Sequence, residues 1–166
     1  MKNSSEHTIC LQVNNQPGVL SRIAGVFSSR GYNITTLCVA ETRDPAVSRI
    51  TVTSAADADF TEKIMKQLDK LVDVIACDDC SGDAFVHREL MLLRVRIERE
   101  DQRDFMRAAD LCGCRIVAMT GDQLILEATG SPEETAAVLQ LLAPFGAEEM
   151  NRTGTIAVAR EGNGYR

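Results

Sequence analysis

Two apolar periodicities alternate along the 166-residue chain in a fixed order, and the order runs twice. Apolar residues at every second position mark a strand buried on one face; a spacing of three to four marks an amphipathic helix. Ile9, Leu11 and Val13 alternate with polar or small residues across Thr8–Val13. Asn14-Asn15-Gln16-Pro17-Gly18 then supplies turn formers, after which Val19, Leu20, Ile23, Phe27 and Arg30 follow helical spacing up to Gly31. Strands are predicted over Ile34–Glu41 and Ser48–Thr53, divided by Asp44-Pro45. Asp59-x-x-Glu62 reads as an N-cap pair for a helix with Phe60, Ile64, Leu68 and Leu71 on one stripe, and Asp73–Asp79 as a fourth strand. The order βαββαβ predicts a ferredoxin-like unit, four antiparallel strands with both helices on one face.

Ser81-Gly82-Asp83-Ala84 is the natural linker, and beyond it the order starts again. A strand is predicted over Glu89–Ile97 and a helix over Asp101–Cys112 with Phe105, Ala108, Ala109 and Cys112 inward. Arg115–Met119 and Gln123–Thr129 flank the hairpin turn Thr120-Gly121-Asp122. Ser131-Pro132-Glu133-Glu134 places a cap serine, proline at the first helical position and glutamate at the third, so a helix carrying Val138, Leu139 and Leu142 starts there. Ala147–Met150 and Thr155–Ala159 are late strands. The predicted class is α+β: two ferredoxin-like βαββαβ modules in tandem, divided into residues 1–82 and 83–166.

Composition removes several functions. The net charge is −6, where a duplex-binding domain presents a basic footprint. An RNA-recognition sheet of the same order needs stacked aromatics, and aromatic content is 4% with no Trp. No nucleic-acid partner is expected. No apolar run is long enough to span a membrane, and the N-terminus has no apolar stretch of the secretory kind, so a cytoplasmic location and reduced thiols are expected.

Catalytic motifs are missing. The chain holds no G-x-S-x-G, H-E-x-x-H, G-x-x-x-x-G-K-[ST] or G-x-G-x-x-G. Its two histidines, His7 and His87, fall near the terminus and among linker charges; a Cys10–His7 nucleophile pair lacks a third, orienting group. Cys77-Asp-Asp-Cys80 and Cys112-Gly-Cys114 have the spacing of paired zinc ligands, yet they belong to different modules and Cys112 lies on an apolar helix face. They read as core or surface thiols; no metal site and no catalytic residue is expected.

One loop has the makings of a binding site. Pro17-Gly18 leaves backbone N–H groups free at a helix N-terminus, where a carboxylate binds well, and Gly18 lacks the Cβ that would block approach. Asn15 adds an amide able to meet a carboxylate or an ammonium. Gly31-Tyr32-Asn33-Ile34 forms a second polar spot at the far end of the same helix, about 20 Å away, too far to share a small ligand within one chain. A two-fold dimer brings one copy's Gly18 loop to the other's Asn33.

The residues from Pro17 to Ile34, PGVLSRIAGVFSSRGYNI, resemble the ACT-domain signature of the small regulatory subunit of acetolactate synthase (acetohydroxyacid synthase). Asp44-Pro45 with Ser48-Arg49, Lys66-Gln67-Leu68 and Lys70-Leu71-Val72-Asp73-Val74 continue the likeness in register. Arg88-Glu89-Leu90-Met91-Leu92 and Arg152-Thr153-Gly154 carry it close to the C-terminus. The resemblance implies an N-terminal ACT domain, a second ferredoxin-like domain, and a homodimer through the ACT sheets. It implies that valine, or else leucine or isoleucine, binds at the dimer interface to Asn15, Gly18, Asn33 and Ile34, with Val19 and Leu20 lining the loop. It further implies a non-catalytic chain that activates a catalytic large subunit and confers feedback inhibition on it. Thiamine diphosphate, Mg²⁺ and FAD would then sit on that large subunit, with no cofactor in this chain. The other readings weighed are a free-standing ACT-domain amino-acid sensor for another enzyme, an acylphosphatase-like enzyme on the same fold, and a metal or redox protein using the cysteine pairs.

Overall fold

The computed structural model describes residues 5–57, 59–98 and 100–161, so Met1–Ser4, part of the N-terminal stretch expected to carry no leader, lie outside it. The first six elements are β1 (Ser5–Asn14), α1 (Val19–Ser28), β2 (Thr36–Glu41), β3 (Val47–Ala56), α2 (Phe60–Leu68) and β4 (Val74–Asp79). They form an antiparallel sheet in the order β2-β3-β1-β4. The next are β5 (Phe85–Arg96), α3 (Gln102–Leu111), β6 (Arg115–Thr120), β7 (Gln123–Gly130), α4 (Pro132–Leu142), β8 (Ala147–Arg152) and β9 (Ile156–Ala159). Their sheet has the matching order β6-β7-β5-β8, with β9 also paired to β5. The predicted α+β class with two βαββαβ modules is what the chain adopts.

Register explains the first core. Ile9 stands opposite Val52 and Leu11 opposite Ile50, so these side chains share one face of the sheet. Val19, Ile23 and Phe27 of α1 and Phe60, Ile64 and Leu68 of α2 close over that face, all buried. Each large side chain so buried contributes about 1.5–3 kcal/mol. The second core repeats the plan with Met91, Leu93 and Val95 of β5, Leu124, Leu126 and Ala128 of β7, Phe105 of α3 and Leu142 of α4.

The helix starts differ from one another. At α4 the Ser131 hydroxyl accepts from Glu134 N–H at 3.2 Å while the Glu134 carboxylate accepts from Ser131 N–H at 2.7 Å, the predicted reciprocal cap. At α2 the expected cap does not form. Asp59 has helical dihedrals, φ −78° and ψ −3°, where a capping residue is extended, so it makes no cap bond and its carboxylate pairs with Lys63 Nζ at 3.2 Å one turn on.

The chain divides into two compact units, one running to Val86 and resumed from Thr155, the other His87–Gly154. The strand β9 therefore packs with the first unit. Its Ala157, with Phe85, covers Cys10 and Cys80 on the sheet face opposite the helices, and its Ala157 carbonyl accepts from Arg49 Nη2 at 2.5 Å. Inside the second unit, Glu89 is buried and its carboxylate accepts from Arg152 Nε at 2.9 Å, from Arg152 Nη2 and from Thr135 Oγ1.

Candidate functional site

The corner between β1 and α1 is held from three directions. Asn14 N–H donates to the Asp73 carbonyl at 2.9 Å and Asn15 N–H to the Ala46 carbonyl at 2.8 Å. The Asn15 side-chain amide donates to Glu41 Oε1 at 3.0 Å and to the Pro45 carbonyl at 2.9 Å, tying the loop to the β2–β3 hairpin. Both amide hydrogens are thus engaged within the chain, and what Asn15 offers a ligand is its Oδ1 acceptor.

Gly18 makes the turn into α1 with φ 85°, a left-handed conformation that costs other residues about 1–2 kcal/mol. The helix that follows presents its first N–H groups without intrahelical partners, and its first turn has no acidic side chain. Val19 is buried in the core, so it faces the loop only with its backbone, whereas Leu20 is 40% exposed beside the corner. One turn on, Arg22 donates from Nε to Asp73 Oδ2 at 2.8 Å, with Nη2 2.6 Å from the same oxygen. Arg22 was not among the residues singled out from the sequence. The signal was its spacing four residues after Gly18, since helical side chains sweep back toward the N-terminus.

Asn33 and Ile34 lie beyond the other end of α1, whose ten residues span about 15 Å. Asn33 is exposed with its carbonyl accepting from Ser54 Oγ at 2.7 Å, and Ile34 packs on the first core. Within one chain the structure does not bring Asn33 to Gly18.

The other candidate groups are taken up in packing. Cys77 stands opposite Leu11 and joins the first core, while Cys80 lies with Cys10 on the other face. Positions three apart in an extended strand point to opposite faces, so this CxxC converges on nothing. Burial, with Asp69 and Asp78 nearby, pushes the Cys77 thiol up to about 12. Cys10 is held below the ordinary thiol value by the hydrogen bond from Cys80, and Arg49 adds to the effect against the opposing influence of burial. His7, inside β1, meets Thr61 Oγ1 through Nδ1 at 2.8 Å and stacks against Phe60 at 5.5 Å, away from Cys10. His87 lies inside β5. Among the described residues no group of three or more His, Cys, Asp or Glu side chains is gathered to hold a metal ion, and no helix is long and apolar enough to cross a membrane.

Comparison with known proteins gives the family. Residues 9–76 match the family model described as the AHAS small subunit-like ACT domain, and residues 88–161 match that of the small subunit of acetolactate synthase. The chain is 36% identical over 154 residues to the acetolactate synthase small subunit of Mycolicibacterium smegmatis, covering 93% of this chain and 91% of the relative. The chain belongs to the acetolactate synthase small-subunit family. It is also 36% identical over 157 residues to the small subunit of Aquifex aeolicus, covering 94% of this chain and 82% of the relative. The crystal structure of the acetolactate synthase small subunit from Thermotoga maritima superposes with a TM-score of 0.87 at 31% identity, over 95% of this chain and 99% of that one. The Gly18 corner lies inside the ACT match, and the Glu89–Arg152 pair inside the second match.

Proposed function

We propose that this chain is the regulatory partner of an acetolactate synthase catalytic large subunit, which it activates and subjects to feedback inhibition by valine, with leucine and isoleucine as alternative effectors. The observation that carries the effector reading is the Gly18 corner: a left-handed glycine, a helix N-terminus free of acidic side chains, and a cation one turn on. The family match carries the partnership. Since Gly18 and Asn33 stand at opposite ends of α1, the pocket is completed by a second copy, the corner of one protomer facing Asn33 and Ile34 of the other. Thiamine diphosphate, Mg²⁺ and FAD belong, on this reading, to the large subunit, and this chain has no catalytic step of its own.

Inhibition requires that valine bind one arrangement of the dimer better than another. A coupling of about 1–3 kcal/mol shifts the balance between those arrangements by about 5- to 150-fold. The test is the turnover of the large subunit alone, with the chain, and with the chain plus each branched-chain amino acid, alongside calorimetric titration of the chain. Turnover is expected to rise with the chain and to fall again with valine. A chain that binds none of the three amino acids and leaves turnover unchanged refutes the proposal.

A further inference from the structure

Arg22 stands where the physics of a helix disfavours it. The first turn of α1 carries partial positive charge that ordinarily recruits an acid, and here it holds no acid and an arginine close behind. What keeps the guanidinium there is Asp73, whose side chain is nine-tenths buried and whose Oδ2 accepts from both Nε and Nη2, at 2.8 and 2.6 Å. The pair fixes the orientation of the planar group and uses one edge of it. The remaining nitrogen, Nη1, stands 3.2 Å from the point that a Cβ on Gly18 would occupy, and the side chain is 48% exposed.

We infer that Arg22 is the specificity-determining residue for the effector's carboxylate, with Nη1 and the α1 N-terminus sharing the anion and Asp73 acting as the positioning residue. The inference rests on the effector reading above and deepens it by naming the charge that selects a free carboxylate. It also gives Gly18 a second role besides its dihedral angle. A side chain there would fill the space in front of Nη1, and an acidic one would take the effector's partner for itself.

The test uses the full chain and two probes, L-valine and L-valinamide, which differ in the carboxylate. Wild type is expected to prefer valine by about tenfold or more, the size of one charge-assisted hydrogen bond. Arg22→Gln is expected to lose that preference while binding valinamide as wild type does; Asp73→Asn is expected to weaken valine binding by a smaller factor. A loss shared equally by both probes would mark a structural role and overturns the assignment, as does an Arg22→Gln chain that binds valine undiminished. Should Arg22→Gln fail to fold, Arg22→Lys decides: a reduced preference for the carboxylate supports the inference and an unchanged one overturns it. A wild-type chain that ignores valine, leucine and isoleucine overturns the effector reading together with this one, whereas a wild type that binds while Arg22→Gln binds equally overturns this one alone.

Discussion

The two units use the same strand order and the same strand-to-helix corner, and the corners have opposite character. In each, the residue after the first strand donates its N–H to the turn of the neighbouring hairpin, Asn15 to Ala46 and Ile97 to Asp122, both at 2.8 Å. The first corner then turns on left-handed Gly18, with Arg22 behind it. The second enters α3 through Asp101, with Arg103 and Asp104 in the first turn and Glu98 and Glu100 in the connecting segment, so that acids outnumber bases there. An anion is attracted to one and meets like charge at the other. Each unit also pairs an arginine with a buried acid, to different ends. Asp73 leaves one edge of Arg22 open, whereas Glu89 shares Arg152 with Thr135 inside the second unit. A duplicated topology repeats the corner; the side chains decide what charge each corner presents.

Gly18→Asp breaks the contrast most completely, by giving the first corner the charge of the second. Valine inhibition is expected to disappear, a loss of more than about 100-fold in effective affinity, while activation of the large subunit is kept. Inhibition curves with and without the substitution check this. Next in size is the buried acid of the second unit. Glu89→Gln removes the charge facing Arg152, whose side chain is one-third exposed, and is expected to cost about 2–3 kcal/mol in urea unfolding. Asp73→Asn, facing a half-exposed arginine, is expected to cost about half as much. The two second helices sharpen the comparison further. Ser131→Ala, which dismantles a formed cap, should cost about 1 kcal/mol, and Asp59→Ala, which removes only an exposed ion pair, less than about 0.5 kcal/mol by the same measurement.

The last effect is confined to alkaline pH. Burial and Asp69 hold the Cys77 thiol at about 12, and burial with Cys112 holds Cys114 at about 11, against 9.0 for a free thiol. Between 9.0 and those values the unfolded chain gives up protons that the folded chain keeps, so stability falls as pH rises. Cys77→Ala is expected to flatten the fall in unfolding midpoint across that window, and Cys114→Ala to flatten it over the narrower range.

Most of the fold was legible because its cause is local. Alternation in Thr8–Val13, helical spacing from Val19 to Phe27 and the Ser131 cap each announce themselves within a dozen residues. The Asp59 cap does not form because the residue takes helical rather than extended dihedrals, which the Asp-x-x-Glu motif does not display. The Gly18 turn was legible for the same local reason, since only glycine adopts its dihedrals cheaply. Arg22 was not, because its partner Asp73 lies 51 residues further along and is brought beneath it only by folding. Nor was the pairing of Cys10 with Cys80, which depends on the register of β1 against β4. The return of β9 to the first unit is equally nonlocal, since nothing near Ala157 in the sequence points to Cys10.

That returning strand has a consequence for synthesis. A ribosome makes Ala157 after the entire second unit, so the earlier-made Cys10 and Cys80 wait with only the Phe85 part of their cover while some 70 residues are added. The first unit is begun first and completed last. In a nascent chain stalled before Thr155, those two sulfurs should react with an alkylating reagent that the released protein excludes.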